Sequence, residues 1–269
     1  MPELPEVEVS RLGIEPHLRG QVIDKIHLRQ PKLRWPIPAE VNLVKDQVVT
    51  DIRRRAKYLL IDTAPGSLVF HLGMSGALRV LPISAPLLKH DHVCVELSNG
   101  QSLRLNDPRR FGALLWQPAG TEAKVLQHLG PEPLTEAFNG ERLYTLSRNR
   151  KLAVKAFIMD NAVVVGVGNI YATEALFMVG IDPRRAAGRI SQARYLELAS
   201  AIKQVLANAI VQGGTSLRDF TQADGKPGYF KQELLVYGRA QQPCVRCAQP
   251  LKSVVIGQRT SVFCAQCQR

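Results

Sequence analysis

The sequence predicts an α+β multidomain protein, in which a β-rich N-terminal region precedes a helical region and a small cysteine-rich module. Short apolar runs follow one another from Val22 to Trp116, which is typical of a β-sandwich or barrel. The pattern changes to helical periodicity after a stretch rich in proline and glycine. Four of the five cysteines lie beyond residue 240, in two C-x₂-C pairs.

The composition indicates a polyanionic partner. The chain has 269 residues, and its 45% hydrophobic content is enough for sizeable cores. It carries 35 lysines and arginines against 23 acidic residues, for a net charge of +12 and a pI near 9.8. Such an excess favours nucleic acid over a membrane surface. Because the sequence has neither an apolar run of about 18 residues nor the start of a signal peptide, we expect a cytoplasmic protein in a reducing compartment.

The first expected element is a helix from Leu4 to about Leu18. Gly20 follows it as a stop signal. The apolar residues that could share one face of this helix are Leu4, Val7, Leu12 and Leu18.

Seven short strand candidates come next, and the turn Asn99-Gly100 between two of them is a strong hairpin signal. Cys94 lies alone in one of these runs, so we expect a buried structural thiol. The candidates have the sequences VVTDIRR, YLLIDT, SLVFHLG, ALRVLP, HVCVELS, QSLRLND and ALLWQ.

The stretch GPEPLTEAFNG indicates a linker, after which helices are expected. One helix should open near Asn169. A longer one should begin after Ser191 as N-cap and end at Gly213-Gly214. Its apolar face should contain Leu198, Ile202, Val205, Ala209 and Ile210.

The cysteine module predicts one structural zinc ion. Sixteen residues separate the pair Cys244 and Cys247 from the pair Cys264 and Cys267, which suits a hairpin that brings four thiolates to one ion. Four cysteines leave no open coordination position, so the site is structural rather than catalytic. Two disulfides, the alternative, conflict with a reducing compartment.

Two turn motifs suit contact with a distorted duplex. HLGMSG flanks Met74 with glycines, which suits a wedge that enters a base stack, although a core methionine in a tight turn also fits. DPRRFG presents Arg109 and Phe111 between two turn signals. Lys57 and Arg150 lie in basic runs that also fit ordinary solvated faces, and the glycines before Asn169 suit phosphate binding at a helix start.

The start MPELPEVE has two interpretations. Removal of Met1 would leave Pro2 as a free secondary amine beside the carboxylate of Glu3. Taken alone, this is also what an inconsequential processed start looks like.

The motifs converge on one family. PELPEVE, RRAKYLL, HLGMSG, KHDHV, DPRRFG, GVGNIYATEALF, GKPGYF, VYGR and the closing cysteine pairs with QR between them occur in this order over essentially the whole chain. In these motifs and their order the chain resembles the formamidopyrimidine-DNA glycosylases. Val9 and Arg150 depart from the threonine and lysine common in that family.

The resemblance implies two lobes with DNA in the cleft between them. A catalytic β-sandwich with an N-terminal helix would occupy residues 1–130 and a linker residues 131–140. A helix-two-turns-helix domain would occupy residues 141–235, and a four-cysteine zinc ribbon residues 236–269. The implied enzyme is a monomer associated with the bacterial nucleoid, and its partner is damaged double-stranded DNA. It would excise 8-oxoguanine and formamidopyrimidines through an N-terminal proline Schiff base, and would then nick the strand by β,δ-elimination in base excision repair.

The resemblance also assigns residue roles. Pro2 is the nucleophile and Glu3 passes protons at the sugar ring. Lys57 is the acid of β-elimination, while Arg259 serves δ-elimination, at least partly by orienting phosphate. The DNA-contacting positions are His71, Met74, His90, Arg109, Phe111, Arg150 and Asn169.

There are two alternatives, one from another class of protein and one a different enzyme. A non-catalytic DNA-binding module would use only the zinc ribbon and a basic face, and would have no need of a free N-terminal proline. An endonuclease VIII-like pyrimidine glycosylase shares the Pro-Glu start and the zinc ribbon. That family usually reads PEGPE and lacks DPRRFG, so PELPE and DPRRFG in this chain favour oxidised purines.

Overall fold

The structure is a computed structural model that describes residues 2–213 and 234–269. Its contacts divide the chain into two compact units, one built around residues 2–127 and the other around residues 128–211 and 234–269. The GKPGYF motif lies outside the described residues. The predicted bounds of the four segments stay a prediction.

The first unit is a β-sandwich with a helix at its start. A five-stranded antiparallel sheet has the order β2-β1-β7-β8-β6, and a four-stranded one has the order β3-β4-β5-β9. Apolar side chains of both sheets meet in one core. The elements are α1 (Leu4–Leu18), β1 (Val22–Leu28), a 3₁₀ helix (Ala39–Val44), β2 (Gln47–Val48), β3 (Asp51–Arg55), β4 (Tyr58–Thr63), β5 (Gly66–His71), β6 (Ala77–Pro82), β7 (Asp91–Leu97), β8 (Gln101–Asn106) and β9 (Ala113–Pro118).

Helix α1 confirms the predicted element but not its whole apolar face. Leu4, Val7 and Leu18 are buried, whereas Leu12 is 46% exposed. Ile14, which has no exposed surface, lies in the core of the sandwich instead.

The predicted strand VVTDIRR was wrong as a single element. Strand β2 ends at Val48 and pairs with β1, while β3 begins at Asp51 and pairs with β4. The chain therefore passes from one sheet to the other at Val49-Thr50. Val49 is fully buried, so the apolar pattern continues through the break.

The hairpin at Asn99-Gly100 is confirmed between β7 and β8. Gly100 adopts φ +79°, and Asn99 Oδ1 accepts the N–H of Gln101 at 3.1 Å. Cys94 on β7 is buried, as expected, and this burial raises the pKa of its thiol.

The second unit is helical and ends in a small hairpin. Its elements are α2 (Gly140–Ser147), α3 (Val154–Ile158), α4 (Asn169–Met178), a 3₁₀ helix (Ala187–Arg189), α5 (Gln192–Val211), β10 (Lys252–Ile256) and β11 (Arg259–Phe263). Helix α5 packs against α2 and α4. No helix in the described part of the chain is long and apolar enough to cross a bilayer.

The predicted start of α4 and the predicted start and end of α5 agree with the structure. Helix α4 opens at Asn169. Helix α5 begins after Ser191, whose Oγ accepts the N–H of Arg194 at 3.4 Å, and it ends at Val211. On its apolar face Val205 and Ile210 are only partly buried, and Leu206 takes a core position that the sequence pattern did not assign.

Candidate functional site

The chain start lies directly before helix α1. Pro2 and Glu3 are buried, and Glu3 has only 1% of its surface exposed. The N–H of Glu3 donates to Oε2 of Glu6 at 2.8 Å, in the arrangement of a capping box. Glu6 is itself fully buried. The first turn of α1 therefore fixes the backbone that carries Pro2, and the positive end of the helix dipole lies beside it.

Lys57 and His71 lie close together on the four-stranded sheet. Lys57 follows Ala56 in the turn from β3 to β4, and Ala56 has φ +55°, which is uncommon for a residue other than glycine. The next residue, Tyr58, pairs with His71 across β4 and β5, and their ring centres are 4.9 Å apart. The structure thus brings two predicted site residues, Lys57 and His71, to one end of this sheet.

His71 is held as a neutral hydrogen-bond donor. The N–H of Gly73 donates to His71 Nδ1 at 3.0 Å, so the ring proton has to be on Nε2. Burial, and then the charges of Arg34 and Lys57, lower the pKa of His71 to about 4. At pH 7 the ring can therefore offer an N–H to a phosphate without adding a charge.

Met74 and Phe111 project from two loops that touch through their backbones. We name residues 72–76 the methionine loop and residues 107–112 the arginine–phenylalanine loop. A Cβ added to Gly73 would lie 2.3 Å from the carbonyl carbon of Phe111. Phe111 is 46% exposed, with the guanidinium of Arg109 5.0 Å from its ring centre, while Met74 is partly buried and outside the core. The arginine–phenylalanine loop therefore places an apolar side chain at the surface, and the methionine loop carries a partly buried one beside it.

His90 ends a loop, residues 83–90, that a buried arginine supports. Arg104 has 1% of its surface exposed, and Asp91, at the start of β7, accepts the N–H of Leu88 at 2.9 Å. His90 is partly buried, with its ring centre 5.9 Å from that of His92. Arg104 donates to the carbonyl oxygens of Pro82, Ile83, Ala85 and Pro86.

In the second unit, Asn169 lies against the zinc-ribbon hairpin. Its Nδ2 donates to the carbonyl of Thr260 at 3.1 Å, and its Oδ1 accepts from Lys155 Nζ at 2.5 Å. Lys155 also donates to Ser261 Oγ at 2.6 Å. The structure therefore brings Asn169 next to the strand that begins with Arg259.

Lys155, a fully buried lysine that connects α3, α4 and β11, was not identified from the sequence. The available signal was a single lysine within the apolar run LAVKAFIM, since lysines are almost never fully buried without a partner.

Arg259 and Arg150 are both exposed in the second unit. Arg259 starts β11 and pairs with Ile256 across the tip of the hairpin. Arg150 lies beyond the end of α2. Arg148, two residues earlier, bonds within the second unit, since its guanidinium donates to the carbonyls of Tyr144 and Ile190.

The four predicted zinc ligands form one cluster. Their sulfur atoms all lie within 4.8 Å of one another, with Cys247 and Cys264 3.4 Å apart and Cys244 and Cys267 4.0 Å apart. Four thiolates at such distances fit a tetrahedral zinc ion. One structural zinc site per chain is therefore confirmed.

Side chains around the cluster tie the ribbon to helix α4. Arg246, between the first two ligands, donates to the carbonyls of Phe177 and Met178 at 3.1 and 2.9 Å. Gln268 donates to the carbonyl of Ile181 at 2.8 Å. The carboxylate of Glu174 accepts three consecutive backbone N–H groups, from Leu235, Val236 and Tyr237.

The fold and site together define a class. The chain is basic and joins a β-sandwich, a helical unit and a zinc ribbon. It carries cationic and apolar side chains on loops and an asparagine at a helix start. This combination indicates a nucleic-acid-binding protein that contains a zinc ribbon. Family models narrow this class. The formamidopyrimidine-DNA glycosylase N-terminal domain matches residues 1–114, its H2TH domain residues 129–221, and a zinc finger found in FPG and IleRS residues 241–269.

Whole proteins match over their full lengths. A formamidopyrimidine-DNA glycosylase of Alteromonas mediterranea is 64% identical, and one of Stenotrophomonas maltophilia 61% identical, each with 100% of both chains covered. The MutM (Fpg) protein of Thermus thermophilus has a TM-score of 0.89 at 35% identity, covering 99% of this chain and 98% of that one. The Lactococcus lactis Fpg in complex with DNA containing an abasic site has a TM-score of 0.91 at 29% identity, covering 99% of each chain.

The chain belongs to the formamidopyrimidine-DNA glycosylase family. The predicted fold and the prediction of an enzyme, a DNA glycosylase with AP lyase activity, are thereby confirmed.

Replacement of Cys247 by Ser should release the zinc ion, because one of four thiolates is lost from a site of the kind whose apparent binding energy is roughly 10–16 kcal/mol. Zinc content measured by atomic emission should fall from one ion per chain to well below that. The matched control is Cys94→Ser, which alters a buried thiol of the first unit and should leave zinc bound. A Cys247→Ser protein that keeps a full zinc ion would contradict the assignment.

The neutral state of His71 predicts acid-sensitive stability. Its folded pKa of about 4 lies below the value of about 6.5 expected for an unfolded chain, so the stabilisation is complete above pH 6.5 and is lost as pH falls towards 4. The loss is at most about 3 kcal/mol. Urea unfolding at pH 7 and pH 5 should show a smaller pH dependence in His71→Asn than in the wild type. A His71 ring that titrates near 6.5 by NMR would refute this.

Proposed function

We propose that this chain excises oxidised purines from duplex DNA and then nicks the strand, with Pro2 as the nucleophile. The observation that carries the proposal is the start of the chain, where residue 2 precedes a capped helix and Glu3 is buried beside it. The family supports the substrate class, since its relatives are named formamidopyrimidine-DNA glycosylases and a mutant of the Lactococcus lactis Fpg was solved with Fapy-dG-containing DNA.

The damaged nucleotide has to leave the base stack before its sugar can be attacked. Met74, Arg109 and Phe111 extend from touching loops and would fill the vacated space. Unstacking costs a few kcal/mol per base step, and an apolar side chain inserted into the gap helps to offset this cost. Lesion recognition is therefore proposed to begin with these loops.

Phosphate contacts would hold the strand while the nucleotide is extruded. Lys57 and His71 on the first unit supply a charge and a neutral N–H. Asn169 and Arg259 on the second unit supply an amide and a charge that lie on adjacent elements. His90 and Arg150 would add further contacts. Charged contacts release counterions, so binding should weaken as salt rises.

A free α-amino group suits the first chemical step. Its pKa of roughly 7.7–8.0 leaves part of it neutral near pH 7, whereas a lysine near 10.4 would need strong perturbation. The nitrogen of Pro2 attacks C1′ of the sugar, the bond from C1′ to the base breaks, and the base leaves with a proton. Glu3 protonates the ring oxygen, so that the sugar opens and the nitrogen becomes an iminium.

The iminium then drives strand cleavage. Since a secondary amine has no second N–H to lose, the iminium keeps its charge and acidifies C2′. Loss of the C2′ proton expels the 3′ phosphate, which is β-elimination. A second elimination, with loss of the C4′ proton, expels the 5′ phosphate. Lys57 is proposed as an acid for the first elimination, and Arg259 as a phosphate-orienting group for the second, because arginine is essentially always protonated.

Borohydride should trap the iminium as a stable amine between the protein and a duplex that contains 8-oxoguanine. Peptide mapping should place the adduct on residue 2 of a chain that lacks Met1. An uncleavable N-terminal extension should abolish trapping and nicking but preserve salt-sensitive DNA binding, because phosphate contacts do not need the amine. Glu3→Gln tests the proton-transfer role separately from the attack by Pro2, and this variant should retain DNA binding while releasing the base more slowly.

An adduct that maps to Lys57 would overturn the proposal, because the lysine would then be the nucleophile. Nicking of a thymine glycol duplex in preference to an 8-oxoguanine duplex would overturn the substrate class and favour the oxidised-pyrimidine alternative.

A further inference from the structure

Asp107 is a buried carboxylate that no step of the proposed mechanism uses. It has no exposed surface and lies at the start of the arginine–phenylalanine loop. Its Oδ1 accepts from Ser75 Oγ at 2.9 Å, and its Oδ2 accepts from the N–H of Gly112 at 2.7 Å. One oxygen therefore holds the methionine loop and the other closes the arginine–phenylalanine loop.

The backbone of Asp107 holds a third segment. Its N–H donates to the carbonyl of His90 at 3.0 Å, and its own carbonyl accepts from His92 Nε2 at 2.9 Å. A single residue is thus bonded to all three segments of the first unit that carry Met74, His90 and Phe111.

Steric contact between the two loops leaves little freedom for independent movement. A Cβ on Gly73 would lie 2.4 Å from the nitrogen of Gly112, and a Cβ on Gly112 would lie 2.8 Å from the carbonyl oxygen of His71 and 3.0 Å from Asp107 Oδ2. Both glycines are needed because the backbones approach this closely. The Asp107 carboxylate bonds across the place where they meet.

We infer that Asp107 is a positioning residue that joins the methionine loop and the arginine–phenylalanine loop, so that Met74 and Phe111 enter DNA as one preassembled unit. This inference rests on the proposed function of those two side chains. A buried carboxylate is retained only where donors satisfy it, and here the two side-chain oxygens accept from donors on separate loops. Without Asp107, Ser75 and Gly112 would lose the bonds that set the spacing between the wedges.

The experiment is a double-mutant cycle with Met74→Ala and Phe111→Ala. Dissociation constants are measured for a duplex with a tetrahydrofuran abasic analogue and for the undamaged duplex, and lesion preference is their ratio. Residues that act together show coupling, so the double variant should lose at least about threefold less preference than the product of the two single losses. This readout involves no covalent chemistry at Pro2.

The cycle is repeated in the backgrounds Asp107→Asn and Asp107→Ala. An asparagine can accept from Gly112 with its oxygen and donate to the Ser75 hydroxyl with its nitrogen, so the coupling should survive. In the alanine background both bonds are lost, and the single losses should multiply to within about twofold. Coupling that persists in Asp107→Ala, or vanishes equally in Asp107→Asn, overturns the inference.

Ser75→Ala provides a second route should Asp107→Ala fail to fold. It removes one of the two bonds, leaves the carboxylate in place and should weaken the coupling. The background Asp91→Asn changes another fully buried aspartate of the same sandwich, which bonds to Arg79, Leu88 and Asn106, and should keep the coupling. Loss of coupling in that control would show a general effect of stability and refute the specific role.

The outcomes separate two failures. Unchanged lesion preference in both single variants would refute the wedge role in the proposed function. Single variants that lose preference but act additively in the otherwise unaltered chain would refute only the joining role of Asp107.

Discussion

The proposed chemistry depends on how the end of the chain is held in place. A nucleophile at residue 2 has a covalent tether on one side only, so its position has to come from the residues that follow. Here the position of residue 2 is set by the N-terminal turn of α1, in which the Glu3 N–H donates to the buried carboxylate of Glu6. Apolar residues of the helix pack into the core of the sandwich. The same turn buries Glu3 next to the amine that it is proposed to serve. Rigid placement of reacting groups is where much of the catalytic advantage of an enzyme arises.

In the rest of each unit, other contacts likewise hold the proposed site residues in position. On the sandwich, strand pairing brings Lys57 and His71 together, and Asp107 bonds to the segments that carry Met74, His90 and Phe111. On the helical unit, Lys155 connects Asn169 to the hairpin that begins its second strand with Arg259. Glu174 of α4 holds residues 235–237, which lead into the ribbon, and the cysteine cluster joins the chain on both sides of that hairpin. Side chains proposed to touch DNA are thus supported by buried polar groups that are satisfied within the fold.

Local sequence signals predicted the elements that depend on local physics. The bounds of α1, the hairpin at Asn99-Gly100, the start of α4 and the metal cluster follow from periodicity, turn chemistry and ligand spacing. The family motifs supplied the candidate DNA contacts. What the sequence did not yield depends on partners far along the chain. The chain passes from one sheet to the other at Val49-Thr50, and because Val49 is buried the apolar sequence pattern shows no break there.

Lys155, Glu174 and Asp107 were missed for the same reason. Each is a charged residue with partners on other segments of the chain. The apolar run around Lys155 marks that residue as unusual, but the sequence does not identify the groups to which any of the three residues binds. Leu12 shows the converse, since its spacing suits the apolar face of α1 but the sandwich covers Ile14 instead. Spacing alone therefore identifies an element more reliably than the side chains that the tertiary fold will bury.

If the first turn of α1 positions the nucleophile, single-turnover base release by Glu6 variants shows it most directly. Glu6→Gln keeps an oxygen that can accept the Glu3 N–H, whereas Glu6→Ala does not. We expect the alanine variant to release 8-oxoguanine at least about tenfold more slowly, while the glutamine variant stays within about threefold of wild type and both bind undamaged duplex normally. A folded Glu6→Ala protein that releases the base at the wild-type rate would contradict this role of the helix.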